Sequence, residues 1–124
     1  MAFVTTKFDD ATSFKVAYHS QITNAVTSNL TDGAGSLFSV KIENTNNAAV
    51  YIKIANAFTA TSGTTPPDWI FSCPASSTYT YEIPNGVAFK ALSVWANENA
   101  VETDNTTPSV SANESVRVTI VTGP

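Results

Sequence analysis

The stretch that decides the fold comprises residues 36–54 and reads SLFSVKIENTNNAAVYIKI. Apolar residues occupy every second position of its first half, and we expect them to face the core: Phe38, Val40 and Ile42. Residues 50–54 repeat this alternation, with Tyr51 and Lys53 on the opposite side, after an asparagine-rich segment at 44–47. Strict alternation is typical of half-buried antiparallel strands. The stretch therefore predicts two strands joined by a tight loop.

The same period recurs along the chain at residues 77–83 and 116–120, and residues 69–73 and 89–95 indicate two strands that alternate less cleanly. Because no helical stretch separates these signals, they predict an all-β fold: an antiparallel β-sandwich of about seven or eight strands, jelly-roll or immunoglobulin-like. The remaining residues expected in the core are Val50, Ile52, Ile54, Val118 and Ile120.

Three other segments carry weaker signals. Pro84-Asn85-Gly86 predicts a hairpin turn with Gly86 at positive φ, because asparagine and glycine tolerate that conformation. Residues 21–30 are predicted to form a first strand, although their apolar positions also fit a helical spacing. Residues 97–113 are polar and acidic, and they predict a long exposed loop before the last strand.

The N-terminal segment, residues 1–20, is predicted to be an extended arm or edge strand in front of a sandwich domain at 21–124. It is too apolar for a solvated tail, yet burying a few large side chains barely offsets the cost of ordering an isolated segment. We therefore expect Phe3, Val4 and Phe8 to contact another chain. The alternative is that the arm packs on its own sandwich.

Composition and charge exclude several classes of function. The chain has 124 residues, enough for one domain, and only 13% of them are charged. Threonine, serine and asparagine account for 42 residues, so we expect the surface to be hydrated mainly through neutral hydrogen-bonding groups and not through charges. The net charge is −4 and the six cations are scattered singly, which argues against nucleic acid as a partner. The sequence contains neither a long apolar run nor a signal-peptide pattern. We therefore expect that the protein is made and kept in a cytoplasm and does not associate with a membrane.

The residues that could carry chemistry are few. His19 and Cys73 are the single histidine and the single cysteine, and a nucleophilic role for Cys73 would need His19 as its base. We expect instead a surface or interface histidine and an ordinary buried thiol. The acidic pair Asp9-Asp10 and the loop acids Glu98, Glu102 and Asp104 lack the spacing of a calcium loop, so solvated carboxylates are favoured over a Ca²⁺ site.

A sugar-stacking platform is the remaining alternative, formed from Trp69, Trp95 and the pair Tyr79 and Tyr81. Alternating aromatic residues in a sandwich more often belong to the core or to an interface. The sequence therefore predicts no enzyme, no catalytic residue, no cofactor, no metal and no small-molecule substrate.

An ordered set of short motifs carries a family resemblance that covers residues 32–121, about seventy per cent of the chain. The motifs are Gly35-Ser36-Leu37-Phe38, Asn44-Thr45-Asn46, Ala48-Ala49-Val50-Tyr51-Ile52-Lys53, Gly63-Thr64-Thr65-Pro66-Pro67-Asp68, Pro74-Ala75-Ser76-Ser77 and Pro84-Asn85-Gly86-Val87-Ala88-Phe89. In these the chain resembles a small β-sandwich module found in the structural-gene clusters of tailed bacteriophages, especially marine and cyanobacterial ones. It departs from them at residues 91–95, which are bulkier than the short glycine-containing segment of many members.

The resemblance implies a component of the virion and supplies no catalytic residue to carry over. We expect a capsid decoration (cement) protein that binds the outer capsid surface and stabilises the shell. Its partners would be the major capsid protein and sister copies of itself, as a dimer or trimer assembled in the host cytoplasm. The alternative is a tail, fibre or head-fibre component, including a module that binds host glycans.

Overall fold

The computed structural model describes residues 3–7, 14–111 and 113–124, and their secondary structure is all β. The strands in this part of the chain are β1 (Val4–Lys7), β2 (Lys15–His19), β3 (Gly35–Asn44), β4 (Val50–Ala55), β5 (Trp69–Cys73), β6 (Ser77–Phe89), β7 (Ser93–Asn97) and β8 (Val116–Gly123). Where the structure is described, it contains no helix long and apolar enough to cross a membrane.

The strands form two sheets, one in the order β1-β2-β8-β3-β6 and the other in the order β5-β4-β7. Every paired strand is antiparallel to its neighbour, which confirms the predicted antiparallel β-sandwich. The loop at 44–47 does not close a hairpin, because β3 and β4 belong to different sheets. It carries the chain from one layer of the sandwich to the other.

The core lies between the two sheets. Its central side chains are fully buried and include most of those expected from the alternating pattern: Val40, Ile42, Ile52, Ile54, Val118 and Ile120. Burying a side chain of this size contributes about 1.5–3 kcal/mol relative to leaving it exposed. The shared inward face of β3, β4 and β8 therefore holds the sandwich together.

A bulge between β3 and β6 changes two of the expectations. Leu37 is opposite Val87, whereas Ser39 is opposite Glu82, so the four residues 83–86 of β6 face the single residue Phe38 of β3. The interruption reverses which side chain points inward: Leu37 is fully buried, and Phe38 is only half-buried. The expectation that Phe38 lies in the core was wrong, because Phe38 is an extra residue in β3 relative to β8: its neighbours Leu37 and Ser39 are opposite the consecutive residues Thr122 and Val121. Such a bulge breaks the period of two.

Pro84-Asn85-Gly86 lies inside that bulge and does not form a hairpin. The residues before and after it both pair with β3, so the chain continues in one direction through it. Gly86 has a φ of 68°, as predicted. Residues 90–92 connect the five-stranded sheet to the three-stranded sheet, and they divide the strand predicted at 89–95 between the end of β6 and the start of β7.

The segment at 21–30 is not the strand that its sequence predicted. It forms a single bridge, in which Thr27 and Val94 exchange two hydrogen bonds of 2.9 Å. Further backbone bonds join Leu30 N–H to the Leu92 carbonyl and Ala96 N–H to the Thr23 carbonyl. The segment therefore covers the outer edge of β7 with irregular backbone.

Candidate interaction surfaces

The N-terminal strands extend the five-stranded sheet. β2 pairs with β8 from Lys15, opposite Thr122, to His19, opposite Val118, and β1 pairs with β2 beyond it. Residues 15–19 therefore belong to the same sheet as the sandwich domain that was expected to begin at residue 21.

The three residues expected to contact another chain have different surroundings. Phe3 packs against its own core, and its ring centroid lies 5.0 Å from that of His19 in an edge-on arrangement. Val4 leaves 61% of its surface exposed. Phe8 lies outside the described residues. Of the two placed residues, only Val4 presents a large apolar surface to a possible partner.

His19 and Cys73 are not brought together as a nucleophile and a base. His19 lies on β2 in the five-stranded sheet, and Cys73 lies on β5 in the three-stranded sheet. His19 is only 6% exposed, so the expected surface histidine is instead part of the fold. Its Nδ1 accepts a hydrogen bond from the backbone N–H of Gln21 at 3.1 Å, and burial lowers its pKa.

Cys73 is the buried thiol that the sequence predicted. Its Sγ lies 3.3 Å from the carbonyl oxygen of Ser77 and 3.7 Å from that of Ile42. Burial raises the pKa of the thiol, against the opposing effect of nearby backbone hydrogen bonds. A protonated, enclosed thiol is a poor nucleophile.

The loop acids do not converge on a cation site. Asp104 accepts hydrogen bonds from the backbone N–H of Asn99 at 3.0 Å and from the Thr106 hydroxyl at 2.6 Å. Desolvation alone would raise the pKa of Asp104, but these hydrogen bonds outweigh it and lower the pKa. Within the described ranges, no three residues among His, Cys, Asp and Glu are grouped to hold a metal ion, and Asp9-Asp10 lie outside those ranges.

A buried lysine is the feature that sequence reasoning missed. Lys53 was placed on the outer face of its strand, yet its side chain is fully buried. The loop between β7 and β8 covers it, and its Nζ donates a hydrogen bond of 2.7 Å to the carbonyl of Val101. Burial lowers the pKa of Lys53, while Asp104 and Glu102 act in the opposite direction.

The same loop is fastened by Asn97, which is also fully buried. Its Oδ1 accepts a hydrogen bond of 3.0 Å from the indole N–H of Trp95. Its Nδ2 donates one hydrogen bond of 2.7 Å to the Thr106 carbonyl and another of 3.1 Å to the Ser62 hydroxyl. The one available signal in the sequence was the weak alternation at 91–96, where Ser93 is the single polar residue, since a strand buried on both faces need not alternate. This loop is therefore a structural cover for the outer face of β4 and β7.

The aromatic residues are divided between two places, so the sugar platform that included both tryptophans does not form. Trp95 is fully buried beside Lys53, its partner in the ladder between β7 and β4. Phe71, Tyr79 and Tyr81 instead cluster where β5 and β6 leave one side of the sandwich open. The ring centroid of Tyr81 lies 5.2 Å from that of Phe71 and 6.3 Å from that of Tyr79.

This open side, defined by β5, β6 and the cluster of Phe71, Tyr79 and Tyr81, presents aromatic surface between two strand edges. Tyr79 is 44% exposed there, whereas Ile70, which is 40% exposed, lies opposite Lys53 and so belongs to the outer face of β5. The Tyr81 hydroxyl crosses between the sheets and donates a hydrogen bond of 2.6 Å to the carbonyl of Ser72. One peptide group of β5 is thereby capped, while β6 remains an edge strand of 13 residues.

Two depressions accompany these surfaces. One has a volume of about 240 Å³ and is lined in part by Lys15, Thr31, Phe89 and Thr122. Within it, the Lys15 ammonium donates a hydrogen bond of 2.6 Å to the Thr31 carbonyl. The other is shallower, at about 390 Å³, and is lined by hydroxyl, amide and carboxylate groups: Glu43, Asn44, Thr45, Ser76, Ser77 and Thr78. Neither contains a histidine or cysteine that could act as a base or nucleophile.

Comparison with known proteins adds little to this geometry. Neither a protein-family model nor a curated protein sequence matches the chain. Among solved structures, a weak likeness is found to one described as the crystal structure of Drosophila melanogaster CENP-C bound to CAL1. That match has 4% sequence identity and a TM-score of 0.28, and it covers 98% of this chain and 76% of the other.

Proposed function

We propose that this chain is a non-enzymatic structural protein of a bacteriophage virion, and that it acts as a capsid decoration (cement) protein on the outer capsid surface. The observation that supports the proposal most is the open side of the sandwich. There an uncovered strand edge and the exposed ring of Tyr79 offer a surface for binding another protein. The phage context itself comes from the resemblance carried by the motifs between residues 35 and 89.

The non-enzymatic part of the proposal is supported by the positions of the reactive groups. His19 and Cys73 lie in different sheets, and each is enclosed by its own neighbours. The Asp104 carboxylate is engaged by Asn99 and Thr106. These groups stabilise local structure, so binding through surfaces is the function that their arrangement favours.

The partners in this proposal are the major capsid protein and sister copies of the chain. Val4, exposed on the edge strand β1, would contact one of them together with Phe8, whereas Phe3 packs against the chain's own core and would support β1 from within. Adding a strand to an exposed edge is a common way for extended segments to bind. Deleting residues 1–10 should therefore abolish binding to the particle while the remaining strands stay folded. If particle binding is unchanged, this segment is not part of the interface.

A second candidate function is a tail, fibre or head-fibre component that binds host glycans. It is favoured by the ring of Tyr79, which is 44% exposed at the open side of the sandwich. An exposed aromatic face is suited to stacking on a sugar ring. Tyr79→Ala should reduce glycan binding if this candidate is right, and it should leave shell binding intact otherwise.

The copy number of the protein in purified virions separates the two candidates. A protein that decorates the shell follows the symmetry of the capsid lattice and is present in hundreds of copies. A fibre component is present in tens of copies or fewer. Quantitative gel densitometry and cryo-electron microscopy of the particle measure both number and position. Absence of the protein from purified particles would overturn the virion proposal altogether.

A further inference from the structure

The edges of the two sheets are protected to different degrees. The edge of β7 is covered by residues 23–30, which bond to Val94 and Ala96 within the strand and to Leu92 just before it. The edge of β5 has its Ser72 carbonyl capped by the Tyr81 hydroxyl. β6 is much longer than either, and Glu82 is its single charged residue. A long edge strand with few charges is a template for pairing with another strand.

The peptide groups that β6 leaves free are identified by hydrogen bonds elsewhere in the sheet. The Val116 carbonyl accepts from Ile22 N–H at 3.0 Å, so it faces away from β3. Asn44, which lies opposite Val116, therefore directs its own peptide groups towards β6. By alternation, the residues of β6 that bond to β3 are those opposite Asn44, Ile42 and Val40, namely Ser77, Tyr79 and Tyr81.

It follows that Thr78, Thr80 and Glu82 present their N–H and C=O groups at the open edge of the sheet. All three side chains are exposed. Pro84, two residues further on, has no N–H to offer and lies within the bulge. The free edge is thus a short, well-defined set of three outward residues with Thr80 at its centre.

We propose that a second copy of this chain pairs with β6 in an antiparallel manner, about a two-fold axis at Thr80. In this register Thr80 lies opposite Thr80 of the second copy, and Thr78 lies opposite Glu82 of the second copy. Every outward peptide group of the set is then paired on both chains. The two five-stranded sheets join into one continuous sheet, with an isologous interface.

Neighbouring registers are poorer for stated reasons. An axis at Tyr81 places Thr78 opposite Pro84, which cannot donate. An axis at Glu82 places two carboxylates directly opposite each other, which is destabilising. An axis at Tyr79 places Glu82 opposite Ser76, which lies outside the strand and has a φ of 52°. The register centred on Thr80 is therefore the one that the edge favours.

The side chains agree with the same register. Tyr79 lies opposite Tyr81 of the second copy in a non-hydrogen-bonded pair, where side chains approach most closely. The tyrosine contact already present within one chain would be extended across the axis, and cross-strand aromatic pairs stabilise sheets. The two Glu82 residues are separated by about 14 Å along the strands, since positions 78 and 82 are four residue steps of about 3.4 Å apart.

A second copy is favoured over an unrelated protein because the edge is its own complement. A set of donors and acceptors that is fully satisfied by its own two-fold image, with its single charge kept away from itself, needs no foreign partner. This inference does not depend on the virion proposal. A dimer of the isolated protein can be measured without any phage particle, so failure of one proposal is distinguishable from failure of the other.

The test uses the full-length protein and its mass in solution. We expect sedimentation equilibrium to show a dimer, and Thr80→Pro to raise its dissociation constant at least about tenfold by removing the central N–H pair. Proline is tolerated on an edge strand where the N–H faces outward, so the variant should keep the far-UV circular dichroism spectrum of the parent. Thr80→Val retains the N–H and should still form the dimer. A monomeric parent, or a dimer insensitive to Thr80→Pro, would overturn the proposal.

Cysteine cross-linking tests the register even if the proline variant fails to fold. Thr80→Cys should form a disulfide-linked dimer under mild oxidation, because the two positions lie opposite each other across the axis. Glu82→Cys should not link to itself, although it should link to Thr78→Cys when the two variants are mixed. Efficient self-linking at position 82, or equal linking at all positions, would exclude the register centred on Thr80.

Discussion

The ammonium of Lys53 donates a hydrogen bond of 2.7 Å to the carbonyl of Val101, 48 residues away in the chain. The lysine lies on the outer face of β4, and the loop that carries Val101 covers this face and buries the Lys53 side chain. A buried ammonium with a backbone carbonyl as its acceptor is expensive to desolvate. The cover over the three-stranded sheet is therefore formed at some cost in stability.

Replacing Lys53 by methionine should test that cost. Methionine fills a similar volume and needs no hydrogen bond, so we expect Lys53→Met to leave the free energy of unfolding at pH 7 unchanged or to raise it by up to about 2 kcal/mol. Lys53→Ala leaves a cavity and should lose about 2–4 kcal/mol. Urea denaturation measures both. If methionine is as destabilising as alanine, the hydrogen bond to Val101 is a net source of stability.

The lowered pKa of Lys53 predicts how the difference in stability between the parent and Lys53→Met depends on pH. The folded protein releases this proton more readily than the unfolded chain, whose lysine keeps its ordinary pKa of 10.5. The contribution of Lys53 to stability is therefore smallest where the lysine is charged in both states, and it grows as the pH rises towards 10.5. The stability of the parent relative to Lys53→Met should improve in that direction. A constant difference across this range would contradict the expectation.

His19 should make the protein less stable in acid. Burial lowers its pKa from the ordinary value of 6.5, and protonation of Nδ1 would break the hydrogen bond from Gln21 N–H. Its contribution to stability is present above pH 6.5 and is lost as the pH falls through the lower pKa of the folded state. Between pH 7 and pH 5 the parent should lose stability relative to His19→Asn, which keeps an acceptor but does not titrate. Thermal melts at matched ionic strength measure this difference, and parallel losses would exclude His19 as the cause.

Asn97 should be among the most sensitive polar positions. Asn97→Ala leaves the buried indole N–H of Trp95 without an acceptor and frees the Thr106 carbonyl, so we expect a loss of about 2–4 kcal/mol. The loop should also open more often, which would expose Lys53 to acetylation reagents detectable by mass spectrometry. Asn47→Ala, at an exposed asparagine, is the control and should stay within about 0.5 kcal/mol of the parent. Equal reactivity of Lys53 in all three proteins would show that Asn97 does not fasten the loop.

Gly86 should resist substitution because of the bulge that contains it. Its φ is 68°, and a Cβ built there would lie 3.0 Å from the ring of Phe38 and 3.1 Å from the Cβ of Ser36. We expect Gly86→Ala to cost about 1–3 kcal/mol, and Gly86→Val to cost more, because a β-branched residue strongly resists positive φ. Asn85→Ala, next to it and exposed, should be nearly neutral. Parent-like melting of both Gly86 variants would show that the bulge does not need this conformation.

The alternation of apolar residues determined most of the fold. Residues 40–42, 50–54 and 116–120 placed their apolar side chains inward as predicted, because a strand with one buried face must alternate whatever its neighbours are. The turn propensity of Asn85 and Gly86 likewise specified a positive φ at Gly86. The local pattern did not specify the role of that residue, since a bulge and a hairpin turn require the same backbone conformation.

Tertiary structure decided what lies on the other face of each strand. Tyr51 and Lys53 share the outer side of β4, yet only Lys53 is fully buried, because the loop after β7 crosses the strand at that point. Pairing partners also decided that residues 83–86 bulge out of β6 and that residues 23–30 lie along β7 instead of forming a ladder of their own. These outcomes depend on contacts between residues that are far apart in the chain. A local period of two indicates only that one face of a strand is apolar, and it does not indicate what covers the opposite face.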